Sequence, residues 1–243
     1  MVPDRTTAAG SGDQVYSGID NLEVMSEARR YAAFLCYLIA RAGGTSARKS
    51  VVDFGAGTGM FADLCRSSAM QLTCIEPDPE LRQRLDARGF AVAVSSSEVA
   101  SASQDFIYTL NVLEHIEDDQ AAVGELYRML KPGGRLLVYV PAFACLYSAM
   151  DRKVGHLRRY RRSTLIHLLE NSGFAIEYAA YADSLGFLAS LAYRLVGSAD
   201  GNIDQRALVF YDRFVFPLSR LIDRLVGRFF GKNVFAVAIK PAV

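Results

Sequence analysis

No stretch of this 243-residue chain is apolar for the ~18 residues that a membrane-spanning helix needs. Charge of one sign is also missing. Lys and Arg number 27 against 26 Asp and Glu, a net charge of +1, so the whole-molecule balance gives no pull toward nucleic acid, and no RNA-binding module is recognisable. The four cysteines, Cys36, Cys65, Cys74 and Cys145, include no C-x-x-C pair. They are expected to be reduced and mostly buried, as in a cytoplasmic protein. MVPDRTTAAGSGDQ has neither a basic start nor an apolar stretch, so no signal peptide is expected, and residues 1–14 are expected to be disordered. There is no internal repeat and no low-complexity tract. Histidine is scarce: His115, His156 and His167 are the only three, which narrows the candidates for proton transfer near neutral pH.

Half of the residues are apolar, enough for a full core, and they fall in an alternating pattern. Short apolar runs at SVVDF (50–54), QLTCIEP (71–77), AVAVS (91–95), DFIYTL (105–110), GRLLVYVP (134–141), FAIEYAAYA (174–182) and NVFAVAIKP (233–241) read as strands. Between them, FADLCRSSAM (61–70), PELRQRLDARG (79–89), DDQAAVGELYRMLKPGG (118–134) and RSTLIHLLENSGF (162–174) have helical spacing and stop signals. Alternating strand and helix predicts an α/β fold with a parallel sheet between two helical layers. The near-continuous apolar character of the first five strands predicts burial on both faces.

VVDFGAGTGMF (51–61) joins the first strand to a helix, where open α/β sheets bind ligands. Gly55, Gly57 and Gly59 let the backbone take positive φ and approach a ligand closely. A dinucleotide fingerprint needs glycine at 60, and Met60 stands there. Asp53, two residues ahead of the first glycine, repels a pyrophosphate but can accept hydrogen bonds from an ammonium group. Glu76, ending the second strand, can accept two hydrogen bonds from a ribose diol. Loop and acid together describe a nucleoside with an amino-acid tail, which is S-adenosylmethionine.

VVDFGAGTG, IEPD, DFIYTLNVLEHIEDD and LKPGGRLLVYVP, in this order, resemble the class I S-adenosylmethionine-dependent methyltransferases. The resemblance covers about residues 48–182 and returns at the last strand. It implies a Rossmann-like seven-stranded sheet of order 3-2-1-4-5-7-6 with strand seven antiparallel. It implies cofactor contacts from Asp53, Gly55, Ala56, Gly57, Glu76, Pro77 and Asp78, an adenine edge at Ser96 and Ser97, and a further wall at Asn111 and Val112. The helical segment before the first strand (15–47) caps the cofactor in such proteins, which puts Tyr16, Arg30 and Tyr31 near the methionine carboxylate.

Methyl transfer from a sulfonium requires alignment of the nucleophile and exclusion of water. A base is needed where the nucleophile carries a proton. His115 and His156 are the candidates, with His167 expected to be structural. NVLEHIEDD resembles the E-x-x-E-H segment with which some ubiquinone-pathway and small-RNA methyltransferases bind a divalent metal. Asn111 replaces the first carboxylate here, so no metal is expected. PAFACLYSAMDRKVGHLRRYRRSTL (141–165) resembles the D-x-x-x-G-H-x-R-R-Y segment of bacterial methyltransferases of the broad ubiquinone- and menaquinone-biosynthesis type. In that position it makes His156 and Tyr160 catalytic candidates. Tyr147, Asp151, Arg158 and Arg159 become acceptor-binding candidates, the arginines suiting an anionic group.

Residues 184–232 interrupt the core (48–183 and 233–243) with helical patterns. Arg206, Arg213, Arg220, Arg224 and Arg228 are placed by spacing on one helical face, with Pro217 kinking or dividing the helix. A lid over an apolar acceptor, a homodimer interface and a membrane-surface element all remain open for this insertion. The reading is a cytoplasmic methyltransferase, with membrane association open, acting on a small or lipid-like acceptor, oxygen favoured. A nicotinamide-dependent oxidoreductase and a non-catalytic cofactor-binding subunit are the alternatives.

Overall fold

The computed structural model describes residues 27–44, 49–66, 70–196 and 204–242, with side chains described up to residue 192 in the third of these. Tyr16 and the expected disorder of residues 1–14 lie outside the described residues. Seven strands form one sheet: β1 (Lys49–Phe54), β2 (Met70–Ile75), β3 (Ala91–Ala93), β4 (Gln104–Leu110), β5 (Leu130–Pro141), β6 (Ala175–Ala182) and β7 (Asn233–Ile239). Their order is β3-β2-β1-β4-β5-β7-β6. β7 runs antiparallel to both neighbours and the other pairings are parallel.

Helices cover both faces: α1 (Arg29–Gly43), α2 (Met60–Cys65), α3 (Pro79–Ala87), α4 (Asp119–Met129), α5 (Ala149–Lys153), α6 (Arg162–Asn171), α7 (Ser184–Val196), α8 (Gln205–Phe210) and α9 (Phe216–Val226). Strand periodicity assigns the two cores. Val52, Ile107, Leu136 and Val138 pack against Val123 and Leu126 of α4 and Leu165 and Leu169 of α6. Their neighbours Val51, Phe106, Leu137 and Tyr139 face the other way, toward Phe34, Leu35 and Leu38 of α1 and Phe216 of α9.

Several sequence expectations need correction. β2 and β3 are only partly buried, because they lie at one end of the sheet. The helix expected over 118–134 stops at Met129, and Leu130–Gly134 already belongs to the extended β5 segment. Only Cys74 is buried among the cysteines; Cys36 and Cys65 are half-buried and Cys145 is exposed. The helix expected over 61–70 is seen over Met60–Cys65, and residues 67–69 lie outside the described residues.

The insertion is a helical layer tied to the core by two carboxylates. Asp212 accepts hydrogen bonds from the Arg30 and Tyr31 amides at the start of α1 (2.9 and 2.8 Å). Asp223 does the same for the Asp183 and Ser184 amides at the start of α7 (both 2.9 Å). Pro217 divides the second helix as expected, in a specific way. A π-helical turn over Tyr211–Val215 precedes it, and Pro217 falls in the first turn of α9, where its missing N–H leaves no gap. The arginines do not all share one face. Arg220 turns inward, its guanidinium 3.6 Å from the Phe34 ring centre and paired with Asp223. Arg206, Arg213, Arg224 and Arg228 are exposed. So are Phe210, Phe214, Leu218, Leu221, Leu225 and Phe229 beside them. Among the described residues no helix is long and apolar enough to cross a membrane.

Candidate active site

The glycine loop leaves the carboxyl end of β1 and starts α2. Gly55, Gly57 and Gly59 have φ of 79°, 54° and 75°, the left-handed region that disfavours any side chain with a Cβ. Close packing adds a second reason at Gly55, where a Cβ would lie 2.4 Å from Val112 Cγ2. Val112 follows β4 and therefore presses on the loop from the neighbouring strand.

Two buried acids flank the loop. Parallel pairing sets Asp53 beside Tyr108, whose hydroxyl donates to Asp53 Oδ2 at 2.9 Å. Burial lifts the Asp53 carboxyl to about 7; the Tyr108 hydrogen bond pulls it down and nearby Glu76 pushes it up. Glu76 ends β2 and accepts the Gly57 amide at 2.7 Å and the Asp78 amide at 3.0 Å. Burial raises its carboxyl as well, against those amide bonds. Asp78 caps α3 by accepting the Glu80 and Leu81 amides, so its Oδ1 serves the helix. Pro77 beside it is exposed. Ala56 is buried behind the loop, its amide bonded to the Ile75 carbonyl. Ser96 and Ser97 sit on a short turn after β3, half-buried and exposed respectively, with Ser97 Oγ bonded to Ser95 Oγ at 2.7 Å. An acidic, glycine-walled cradle suits a cationic amino-acid tail and a ribose diol better than a pyrophosphate, so the residues present fit S-adenosylmethionine.

The far wall is built from strand ends. Asn111, Phe143 and Asp183 follow β4, β5 and β6, and all three are non-glycine residues with positive φ (54°, 59° and 63°). Such corners concentrate at functional sites. Tyr31 of α1 is hydrogen-bonded to Asn111 and Tyr139, and burial pushes its hydroxyl up to about 12. It packs edge-on against Tyr139 and Phe216. Arg30 points to solvent, and its backbone amide is what the fold uses.

Residues 142–160 fold back over the carboxyl ends of β4 and β5. An isolated bridge pairs Ala142 with Tyr160, and the Leu157 amide donates to the Glu114 carbonyl at 2.8 Å. This return places His156 beside the turn Leu113–His115. The residues expected to meet an acceptor mostly meet one another instead. Asp151, 1% exposed, takes a bidentate pair from Arg159 (2.8 and 3.0 Å), His156 Nδ1 (2.7 Å) and the Ser148 amide (2.8 Å). Burial opposes that anion, yet His156 and Arg159 hold its carboxyl well below the usual range. Arg158 pairs with Asp119 at 2.9 Å and donates to the Glu117 carbonyl. Tyr147 donates to the His156 carbonyl at 2.7 Å. Tyr160, 4% exposed, directs its hydroxyl at Asp119 and the Leu113 carbonyl. Asp151, Arg158, Arg159, Tyr147 and Tyr160 therefore brace the segment through these contacts. His167, expected to be structural, has its side chain 74% exposed on α6.

The segment holds His156 against two groups. Its ring lies 4.7 Å from that of His115, edge to face, and Nε2 is 3.7 Å from Glu114 Oε1. Glu114 is fully buried, and neither carboxylate oxygen has a hydrogen-bond partner. Burial lifts it to about 8, with its own backbone amide and then Arg159 pulling down and Asp151 pushing up. Burial and the neighbouring His156 press His115 down to about 4, so it is neutral at pH 7. Glu114, His115 and His156 each offer a ligand atom, all within 4.8 Å of one another. Asn111 argued against a metal from the sequence; the fold supplies a third donor from another segment. The partners that sequence reasoning missed, Tyr108 for Asp53 and His156 for Glu114, lie 55 and 42 positions away and leave no local signal.

Sheet order, glycine cradle and paired acids define the class: a class I S-adenosylmethionine-dependent methyltransferase fold. The chain belongs to the methyltransferase domain family, whose model matches residues 27–179. A Mycolicibacterium smegmatis protein, "Probable S-adenosylmethionine-dependent methyltransferase", is 30% identical over 174 residues, covering 67% of this chain and 66% of the relative. A Xanthomonas oryzae ubiquinone biosynthesis O-methyltransferase is 32% identical over 114 residues, 43% of this chain and 47% of its own. The chain thus matches about half to two thirds of the length of these curated relatives. The fold is shared with Haemonchus contortus phosphoethanolamine N-methyltransferase 2, solved with S-adenosyl-L-methionine. The TM-score is 0.57 at 17% identity, over 85% of this chain and 52% of that one.

Proposed function

We propose that the chain moves the methyl group of S-adenosylmethionine to an oxygen atom of a small, lipid-like acceptor. The observation that carries the reading is the Asp151–His156 pair, which aims Nε2 at Glu114 and His115 beside the strand ends bordering the cradle. Bound S-adenosylmethionine supplies a methyl group already activated by its positive sulfur. The cradle residues Asp53, Gly55, Gly57 and Glu76 would hold its tail and ribose. As the acceptor oxygen took that methyl group from the sulfur, its proton would pass to the Glu114–His115–His156 cluster, His156 being its most oriented member. Asp151 and Arg159 keep that imidazole in place.

The lipid-like acceptor is supported by aromatic side chains where the insertion meets the post-β5 turn. Phe143 stacks on Tyr181 at 4.8 Å and meets Phe187 of α7 edge-on at 5.3 Å; Phe187 meets Phe230 at 5.4 Å. The insertion is then a lid. Its outer face, with exposed Phe and Leu interleaved with four arginines, suits an anionic membrane surface better than a second copy, which would oppose arginine to arginine.

The test offers S-adenosylmethionine with a panel of prenylated phenols, hydroxyacyl and carboxyacyl lipids, and follows S-adenosylhomocysteine release. Expected is a product carrying the methyl on oxygen by tandem mass spectrometry, with turnover reduced about 10²–10⁴-fold in His156→Ala and cofactor affinity kept. A product methylated on nitrogen or carbon refutes the O-transfer. Tight cofactor binding with no turnover on any acceptor favours the non-catalytic subunit.

A further inference from the structure

We propose that Glu114, His115 and His156 form a binding site for one first-row divalent transition-metal ion of the zinc class. The donors come from two segments far apart in sequence, the turn after β4 and the return after β5. The fold brings their ligand atoms within 4.8 Å of one another. Four-coordinate zinc, with bonds of 2.0–2.1 Å, separates its ligand atoms by about 3.4 Å. His156 Nε2 and Glu114 Oε1 already stand 3.7 Å apart, so closing on an ion needs only side-chain adjustment.

Two independent features point at an ion. Glu114 is fully buried, and no described group hydrogen-bonds to either of its oxygens. A buried carboxylate without partners is costly, and a cation placed between it and the imidazoles removes that cost. Each histidine, moreover, has a further hydrogen-bond partner, and that of His156 lies on the far side of its ring from Glu114. Asp151 Oδ1 takes His156 Nδ1 at 2.7 Å, and His115 is hydrogen-bonded to the Gly155 backbone. That is the arrangement by which proteins orient metal-binding imidazoles. Asp151 is itself fixed by Arg159 and Ser148, so the outer shell is as built as the inner one. Two imidazoles and one carboxylate favour zinc, cobalt, iron or manganese over the all-oxygen sites of magnesium and calcium. Three protein ligands leave a position open. In the ion-loaded chain His156 Nε2 would be a ligand and not a base; an acceptor hydroxyl in the open position would become more acidic, because a divalent ion stabilises the oxyanion, and its proton would leave to water. The inference rests on the proposed function only for this last step. Metal binding itself requires neither acceptor nor cofactor.

The experiment uses the whole chain, stripped with chelator and dialysed, without S-adenosylmethionine. Cobalt(II) is titrated by visible absorption and zinc(II) by calorimetry. Expected are one ion per chain, cobalt d–d bands of four- or five-coordinate intensity, and a higher melting temperature. Glu114→Gln and His156→Ala should weaken binding at least about 100-fold. Asp151→Asn, which leaves all three ligands in place and loosens the His156 partner together with its Arg159 pair, should weaken it about 10–100-fold. His167→Ala, on the surface of α6, should bind as the parent does. A parent chain that binds neither ion with unit stoichiometry in the micromolar range overturns the proposal, whatever the variants do. So does binding that survives Glu114→Gln in a variant whose circular dichroism matches the parent. If the ion binds but no acceptor is methylated, the metal site stands and the proposed function fails.

Discussion

Asp53 makes cofactor binding sensitive to pH in a way that can be worked from the structure. Its carboxyl is 4% exposed, holds one hydrogen bond from Tyr108, and is lifted from 3.8 to about 7. For a carboxyl the sign follows directly. The folded chain binds this proton more tightly than the unfolded chain, so apo stability declines as pH rises from about 4 to about 7, by about 4 kcal/mol in all. An ammonium group placed beside Asp53 reverses the preference, because it favours the anion. Cofactor binding below pH 7 must then expel a proton, and affinity drops tenfold per pH unit. From pH 7 to pH 5 the expected weakening is about 50-fold; the cofactor's own amine, which titrates near 8, does not interfere in that range. Calorimetry in two buffers of different ionisation enthalpy measures affinity and proton release together. Asp53→Asn, which keeps an acceptor for Tyr108, should flatten the profile and raise the apo melting temperature at pH 8. Equal affinity at pH 5 and pH 7 in the parent, or an unchanged slope in Asp53→Asn, refutes the pairing of Asp53 with the cofactor's cation.

Three further outcomes are expected. Glu76→Ala removes the acceptor of the Gly57 and Asp78 amides and of the ribose, and should weaken S-adenosylmethionine by about 1.5–3 kcal/mol; unchanged affinity by calorimetry contradicts the assignment. Gly55→Ala forces a Cβ to within 2.4 Å of Val112 at φ 79° and should lower stability by about 1–3 kcal/mol in chemical denaturation, whereas Gly89→Ala at φ 76°, with open space around it, should show the backbone part alone. Tyr160→Phe loses the hydroxyl bonds to Asp119 and Leu113 and should cost about 0.5–1.5 kcal/mol of stability with kcat kept; a kcat loss of a hundredfold at unchanged stability would restore Tyr160 as a catalytic group.

What could be read from the chain was whatever is written locally. The glycine loop, Glu76 at a strand end and the alternation of strand and helix each occupy a short window, and the sheet follows the order that the family resemblance implied. Boundaries failed where composition was ambiguous. Leu130 and Lys131 are good helix formers, so the helical pattern runs on to the Pro-Gly-Gly signal, but pairing of Leu130 with Gln104 draws them into β5. The orientation of polar groups is hidden from the sequence for a different reason. The pattern D-x-x-x-G-H-x-R-R-Y shows that these groups are close, and not which way each one faces. Asp151 turned out to collect His156 and Arg159 inward, leaving only the imidazole's other edge to the site. The meeting of Glu114 with His156 depends on the return of residues 142–160 over the sheet, and no window of sequence contains it.

The cap on α1 has a consequence in time. Ala28, at its N-terminal boundary, offers no side-chain acceptor, and its first turn carries no acidic residue. The carboxylate that accepts its leading amides belongs to Asp212, 182 positions further on. During synthesis at about 5–20 residues per second, α1 leaves the ribosome roughly ten to forty seconds before that carboxylate exists. Through that interval the helix that roofs one face of the sheet has neither its cap nor Phe216 to pack on. The amino-terminal helix thus gains its capping carboxylate and its Phe216 contact only as the insertion arrives.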